Sequence, residues 1–286
     1  MSLRAVLDNK DVRARFSQEF IKPKFSLKKG ILAQPVTKHY ALVGTAFDYL
    51  MRFYIRRINP KAMVREWVAE LSLKELQRDL INNNQLSMAE KMLCEAKEAY
   101  SDYIKSGIMN RGIARCTLLL AQLDIYFRAG IIGKDFGTVD DGDVDDLLNL
   151  ICLVNPDSFR AKELCILNPT FGKASQLVGG ADADFVIDNL LVDIKTTKKL
   201  EFKIEHFNEL VGYYILYKID GMPDVPVEPK IKKLGIYYSR YAELYTFPVA
   251  MIIEENKFAP FKEWFKEKAT QLSIELKGLR ESLNQT

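Results

Sequence analysis

The stretch from residue 179 to residue 197, GGADADFVIDNLLVDIKTT, constrains the fold of this chain more than any other. Acidic and apolar residues alternate from Asp184 to Asp188, and the alternation resumes from Leu191 to Lys195. Between the two runs, Asp188 and Asn189 are residue types that favour tight turns. The pattern therefore predicts a β-hairpin with one polar face.

The hairpin can pair in two registers, and both place the same side chains together. With the turn at Asn189-Leu190, Asp184 lies across from Lys195 and is diagonal to Asp193. With the turn one residue earlier, Asp184 lies opposite Asp193. Because side chains change faces with a period of two, either register puts all three charged residues on one face of the sheet.

Two carboxylates and an ammonium on one sheet face form a chemically useful set. Asp184 and Asp193, together with the main-chain carbonyl of Ile194, offer the hard oxygen ligands that suit Mg²⁺ or Mn²⁺. Lys195 could then orient or deprotonate a metal-held water, or stabilise charge on a pentavalent phosphorus. The competing interpretation is an exposed hairpin with surface ion pairs, each worth roughly 0–1 kcal/mol.

The hairpin resembles the D-(X)n-(D/E)-X-K pattern of the PD-(D/E)XK nuclease superfamily, and in particular its RecB-like exonuclease branch. Two further blocks follow the order of that branch. Glu209-Leu-Val-Gly-Tyr213 occupies the place of a Q-L-x-x-Y element, with glutamate for glutamine. Gly44-Thr-Ala-Phe-Asp48 occupies the place of an N-terminal G-T-x-x-H element, with aspartate for histidine.

The resemblance implies a Mg²⁺- or Mn²⁺-dependent deoxyribonuclease that acts on single- or double-stranded DNA. It assigns metal binding to Asp184, Asp193 and Ile194, and catalysis to Asp184, Asp193 and Lys195. Asp48 is expected as a third metal ligand or as a helix-surface acid. Glu209 is expected as an auxiliary catalytic acid or as an exposed polar position. The alternative is a nucleic-acid-binding module of the same fold with weak or lost catalysis.

The cysteines predict no iron–sulfur cluster, although some RecB-like nucleases carry one on four cysteines, one before the nuclease core and three after it. All four cysteines of this chain precede the hairpin and lie mainly in apolar helical patterns, which predicts reduced core thiols. They are Cys94, Cys116, Cys152 and Cys165.

Composition and charge indicate where the protein is expected to act and how strongly it attracts DNA. The chain has 286 residues, 48% of them hydrophobic and 28% charged, which is typical of a globular protein. No apolar run approaches the roughly 18 residues that span a bilayer, and no secretion signal is evident, so a cytoplasmic protein without a membrane partner is expected. The net charge of +3 attracts DNA only weakly, so binding would depend on local patches. One patch adjoins the hairpin: Lys195, Lys198, Lys199 and Lys203.

The remaining pattern predicts an α+β chain with a restriction-endonuclease-like core, a mixed central sheet of about five strands flanked by helices. Residues 1–286 are expected to form a single nuclease domain, in which 1–160 are mostly helical and 161–286 carry the sheet. A capping box at Ser87–Glu90 predicts the start of a long helix. Leu167–Phe171, followed by Gln176–Val178, is expected to form a strand and a bend that lead into the hairpin.

Overall fold

A computed structural model describes residues 2–78, 82–223 and 225–283. Within these ranges the chain forms ten α-helices and one mixed sheet of six strands, so the prediction of an α+β fold with a mixed sheet is confirmed. The helices are α1 (Leu3–Leu7), α2 (Lys10–Glu19), α3 (Tyr40–Ile58), α4 (Val68–Arg78), α5 (Asn83–Ser106), α6 (Arg111–Ala129), α7 (Asp141–Cys152), α8 (Gly172–Leu177), α9 (Ile204–Asp220) and α10 (Glu255–Leu283). The strands are β1 (Met63–Val64), β2 (Cys165–Leu167), β3 (Phe185–Ile187), β4 (Leu190–Lys195), β5 (Lys233–Tyr238) and β6 (Glu243–Pro248).

The strands lie side by side in chain order, from β1 to β6. The pairs β1–β2 and β4–β5 are parallel, and the other neighbours are antiparallel. The sheet has one strand more than the predicted number because β1, only two residues long, comes from the helix-rich half of the chain. Met63 pairs with Ile166, so the two halves share one sheet.

Successive side chains of the strands point to opposite faces of the sheet, and they contribute to two separate hydrophobic cores, one on each face. Phe185 and Val192 belong to the core that contains α3 and α6. Val186 and Leu191 belong to the core that contains α1, α2, α9 and α10. Helices therefore cover both faces, as the period-two pattern of the strands requires.

Helix α9 makes the crossover between the parallel strands β4 and β5, and it packs on the second core. Phe207, Leu210 and Val211 are buried on the side that faces the sheet. This packing fixes the rotation of α9, which leaves Glu209 half-buried beside the end of β4.

Three local predictions are wrong. Helix α5 begins before Ser87, because Asn82 caps it by accepting a hydrogen bond from the N–H of Asn84. Leu167 lies in β2, but Gln176 lies in α8 and Val178 is the C-cap of that helix, so a helix and not a bend precedes the hairpin. Two of the four predicted core thiols, Cys94 and Cys152, are exposed, because each lies on the outer side of its helix. None of the described helices is both long and apolar enough to cross a membrane.

Candidate active site

The hairpin of β3 and β4 adopts the second of the two predicted registers. Phe185 pairs with Val192, and extending this register by one residue places Asp184 opposite Asp193. Asp188 takes the left-handed conformation that the turn needs, with φ of 52°. Its carboxylate accepts hydrogen bonds from the main-chain N–H groups of residues 162–164, which anchor the turn.

The charged residues of β4 are enclosed rather than spread on a surface. Asp193 is 5% exposed, and the side chain of Lys195 is 19% exposed. Both share the face of Leu191, which is buried in the core below α9. The interpretation of the hairpin as a set of surface ion pairs is therefore wrong.

Lys195 is the centre of the site. Its Nζ lies 2.8 Å from Oδ2 of Asp193 and 2.7 Å from Oε2 of Glu209. The hydroxyl of Tyr213, one turn along α9, donates a weak 3.4 Å hydrogen bond to the other oxygen of Glu209. Burial opposes the charge on Lys195, but the two carboxylates outweigh it and raise the pKa of the ammonium. Lys195 is thus held in the charged form.

The two hairpin carboxylates are held in an environment that disfavours their charge. Burial raises the pKa of Asp184 to about 6, although a hydrogen bond from the N–H of Ile194 and the charge of Lys195 oppose that shift. Burial also raises the pKa of Asp193 well above its ordinary value, with Lys195 opposing the shift and Glu209 adding to it. Burial, more than the neighbouring acids, therefore disfavours the charged form of both carboxylates.

Helix α3 brings Asp48 into the same group. A Cβ placed on Gly44 would lie 4.0 Å from Cβ of Thr196, so α3 passes close to the end of β4 one turn before Asp48. Burial and then the charge of Asp184 raise the pKa of Asp48 well above its ordinary value, while Arg52 opposes the shift. Of the two expectations for Asp48, the structure favours a place beside the hairpin acids over an exposed helix surface.

Three further charged residues lie around the site, and the sequence analysis did not single them out: Asp182, Arg128 and Asp124. Asp182 is half-buried, and its pKa is raised by burial and lowered by Arg128 and then Arg52. Arg128 reaches it from α6, with 3.8 Å between Nη2 and the Asp182 Oδ2 atom. Its Nε also donates to the buried Asp124. Asp182 is two residues before Asp184, so the period-two pattern could have predicted that it lies on the same side. No local pattern in the sequence indicates Arg128.

The oxygen donors suit a hard divalent cation in their chemistry. Oδ2 of Asp193 is buried and accepts no hydrogen bond of normal geometry from any described residue, despite the nearby Lys195. The N–H of Ile194 points at Asp184, and because N–H and C=O of one strand residue point the same way, its carbonyl faces that side as well. Asp48, Asp184, Asp193 and this carbonyl therefore fit Mg²⁺ or Mn²⁺ by ligand type.

The present side-chain positions are those of an ion-paired site. No group of three or more His, Cys, Asp or Glu side chains is arranged to hold a metal ion in the part of the chain that the structure describes. Asp184 is engaged by a main-chain N–H, and Lys195 occupies the space between Asp193 and Glu209. Ion binding would require these carboxylates to turn away from their present partners.

Comparison with known protein families, with curated proteins and with solved structures finds no match. The resemblance to the PD-(D/E)XK nucleases therefore stays a prediction from the three sequence blocks.

Proposed function

We propose that this protein is a Mg²⁺- or Mn²⁺-dependent deoxyribonuclease of the PD-(D/E)XK type that hydrolyses phosphodiester bonds in an exonuclease-like way. The observation that carries the proposal is the enclosure of Asp184, Asp193 and Lys195 on one face of the hairpin. Asp48 and Glu209, from two helices distant in sequence, join the same group.

The electrostatics of the group support cation binding. The pKa of each of three acids, Asp48, Asp184 and Asp193, is raised by burial, and the charge of Asp184 contributes to the shift of each of the other two. Two like charges that are buried close together repel each other, and each raises the free energy of the other's charged form. A divalent cation would offset that repulsion, and structural pairing alone would not need so many acids around one lysine.

Each residue has a role in this proposal. Asp48, Asp184, Asp193 and the carbonyl of Ile194 would hold the ion, which when bound supplies Lewis-acid polarisation of a phosphate oxygen and acidifies a water. Lys195 would stabilise the negative charge that develops on the phosphate oxygens. Glu209 orients Lys195 through the 2.7 Å ion pair, so it serves as a positioning residue.

The sheet is compatible with a restriction-endonuclease-like core. Strands β3 and β4 form the hairpin, α9 makes the crossover to the parallel strand β5, and β6 returns antiparallel to it. Helices cover both faces of this arrangement. The active-site hairpin then lies within the sheet, where neighbouring strands on both sides hold its register.

One observation favours a second candidate, a nucleic-acid-binding module of the same fold with weak or lost catalysis. Lys195 is fully engaged by two carboxylates, and the described acids do not converge as a ready metal site. A site locked in this state would keep its fold without cutting DNA.

Cleavage assays separate the two candidates. Linear single- and double-stranded DNA is incubated with the parent, Asp193→Asn or Lys195→Ala, in Mg²⁺, Mn²⁺ or chelator. We expect metal-dependent cleavage by the parent and none by Asp193→Asn, which should bind DNA as well or better because one negative charge is gone. Asp145→Asn, an exposed acid of α7 paired with Arg111, is the matched control and should cut normally. Cleavage by Asp193→Asn at the parent rate would rule out the assignment, and a parent that binds without cutting in either metal would favour the binding module.

A further inference from the structure

A cleft of about 620 Å³ opens next to the candidate active site. Its walls come from α1, α2 and the first turns of α9, and Lys195 and Glu209 form part of one wall. The volume is typical of pockets that hold one small ligand, about 300–1,000 Å³.

Three cations that line this cleft form no ion pair within the described part of the chain. Arg4 of α1, Arg13 of α2 and Lys203 before α9 all face it, and none makes an ion pair with any residue that the structure describes. The acids of the lining are Asp8, Glu205 and Glu209, and Glu209 is already paired with Lys195. Asp8 and Glu205 likewise make no ion pair with a described residue, so the three cations exceed these two acids by one positive charge.

The start of α9 adds polar groups to the same wall. Lys203 is the N-cap residue, and its side chain does not cap the N–H groups of the first turn of α9. Such N–H groups and the helix dipole favour an anion. His206 lines the cleft with a buried Nδ1 that has no hydrogen-bond partner among the described residues. Burial and then Lys195 lower the pKa of His206 to about 4, so its ring is neutral and able to donate one hydrogen bond.

We propose that this cleft binds the terminal phosphate of a nucleic-acid strand and so presents the end of that strand to Lys195. The inference rests on the proposed function, because it names the part of the substrate that the same site receives. A terminal phosphate carries a charge of about −1.5 to −2 at pH 7, more than the single charge of an internal phosphodiester. The positive excess of the lining, together with the N–H groups at the start of α9, therefore favours a strand end over the middle of a strand.

Equilibrium binding in chelator tests the proposal without cleavage. The probes are one short single-stranded DNA oligonucleotide with a 5′-phosphate, with a 3′-phosphate, or with hydroxyls at both ends. We expect the parent to bind one phosphorylated form about tenfold more tightly than the hydroxyl form, as a charge-assisted contact provides. The form that is preferred identifies which strand end enters the cleft.

Two substitutions link the preference to the cleft. Arg13→Gln and, separately, Lys203→Gln should reduce the affinity ratio toward one; both side chains are exposed, so the fold does not depend on them. Arg160→Gln, an exposed arginine outside the cleft that pairs with Asp157, should leave the ratio unchanged. Equal binding of all three probes by the parent, or an unchanged ratio in both cleft variants, would overturn the inference even if the protein cuts DNA. A phosphate preference that depends on Arg13, in a protein that cuts nothing, would support the inference while the nuclease proposal fails.

Discussion

Replacing Asp184 by asparagine should stabilise the protein at neutral pH while removing its proposed metal ligand. The carboxylate of Asp184 lies among other acids, and burial raises its pKa to about 6. Asn retains an oxygen that can accept the hydrogen bond from the N–H of Ile194, and it carries no charge. The substitution therefore removes an unfavourable charge and preserves the hydrogen bond.

The size of the effect follows from the pKa. A shift from 3.8 to about 6 is roughly two units, and at about 1.36 kcal/mol per unit it corresponds to at most about 3 kcal/mol. Because Asp184 is only half-buried, solvent screening reduces this to about 1–2 kcal/mol. The folded state holds the proton more tightly than the unfolded state, so the parent loses stability relative to Asp184→Asn as pH rises from about 4 to 6. Above about pH 7 the difference should be constant.

Urea unfolding at a series of pH values between 4 and 8, in chelator, measures this difference. Asp184→Asn should match the parent near pH 4 and exceed it by about 1–2 kcal/mol at pH 8. Adding Mg²⁺ at pH 8 should stabilise the parent more than the variant, because the ion stabilises the folded state that binds it and the variant lacks one of the proposed carboxylate ligands. A pH-independent difference, or a parent that is the more stable protein at pH 8, would refute the reasoning.

Three other substitutions test separate parts of the structure. Lys195→Ala should lower kcat more than it weakens DNA binding, because a group that acts mainly in the transition state contributes little to ground-state affinity. Single-turnover kinetics would measure the rate and fluorescence anisotropy the affinity, and equal losses in both would contradict this role. Asp146→Ala should lower the free energy of unfolding in urea by about 3–5 kcal/mol, because Arg240, which is 1% exposed, would lose both hydrogen bonds to that carboxylate. A loss below about 1 kcal/mol would show that this buried pair does not stabilise the fold. Gly44→Ala should be neutral or should stabilise the fold by up to about 1 kcal/mol, because the added Cβ would contact Thr196 at 4.0 Å. A lower melting temperature of the variant would contradict this expectation.

The sequence predicted the hairpin and its polar face because both depend on local alternation. Asp184, Asp193 and Lys195 share a face in either register, so an error in the turn position could not separate them. The place of Glu209 was also accessible, since helical spacing from the buried Phe207 and Leu210 fixes which side of α9 it occupies.

Features that depend on distant contacts were not accessible. Strand β1 is two residues long and is defined by pairing with β2, about a hundred residues later, so no periodicity marks it. Arg128 reaches the site only because α6 packs against α3. The start of α5 was misplaced because Ser87 and Asn82 are both good capping residues, and the tertiary structure selects the earlier one.

The pairing of Asp184 with Asp193 across a tight turn also limits how this gene can change. A single codon inserted into β4 between the turn and Asp193 would reverse the facing of Asp193 and Lys195, and would send two charges into the core that contains Phe185 and Val192. Insertions of two codons would preserve the facing while lengthening the hairpin. Among descendants that keep the site, length variation within this strand should therefore occur in even steps, whereas the loops outside the sheet are free of that restriction.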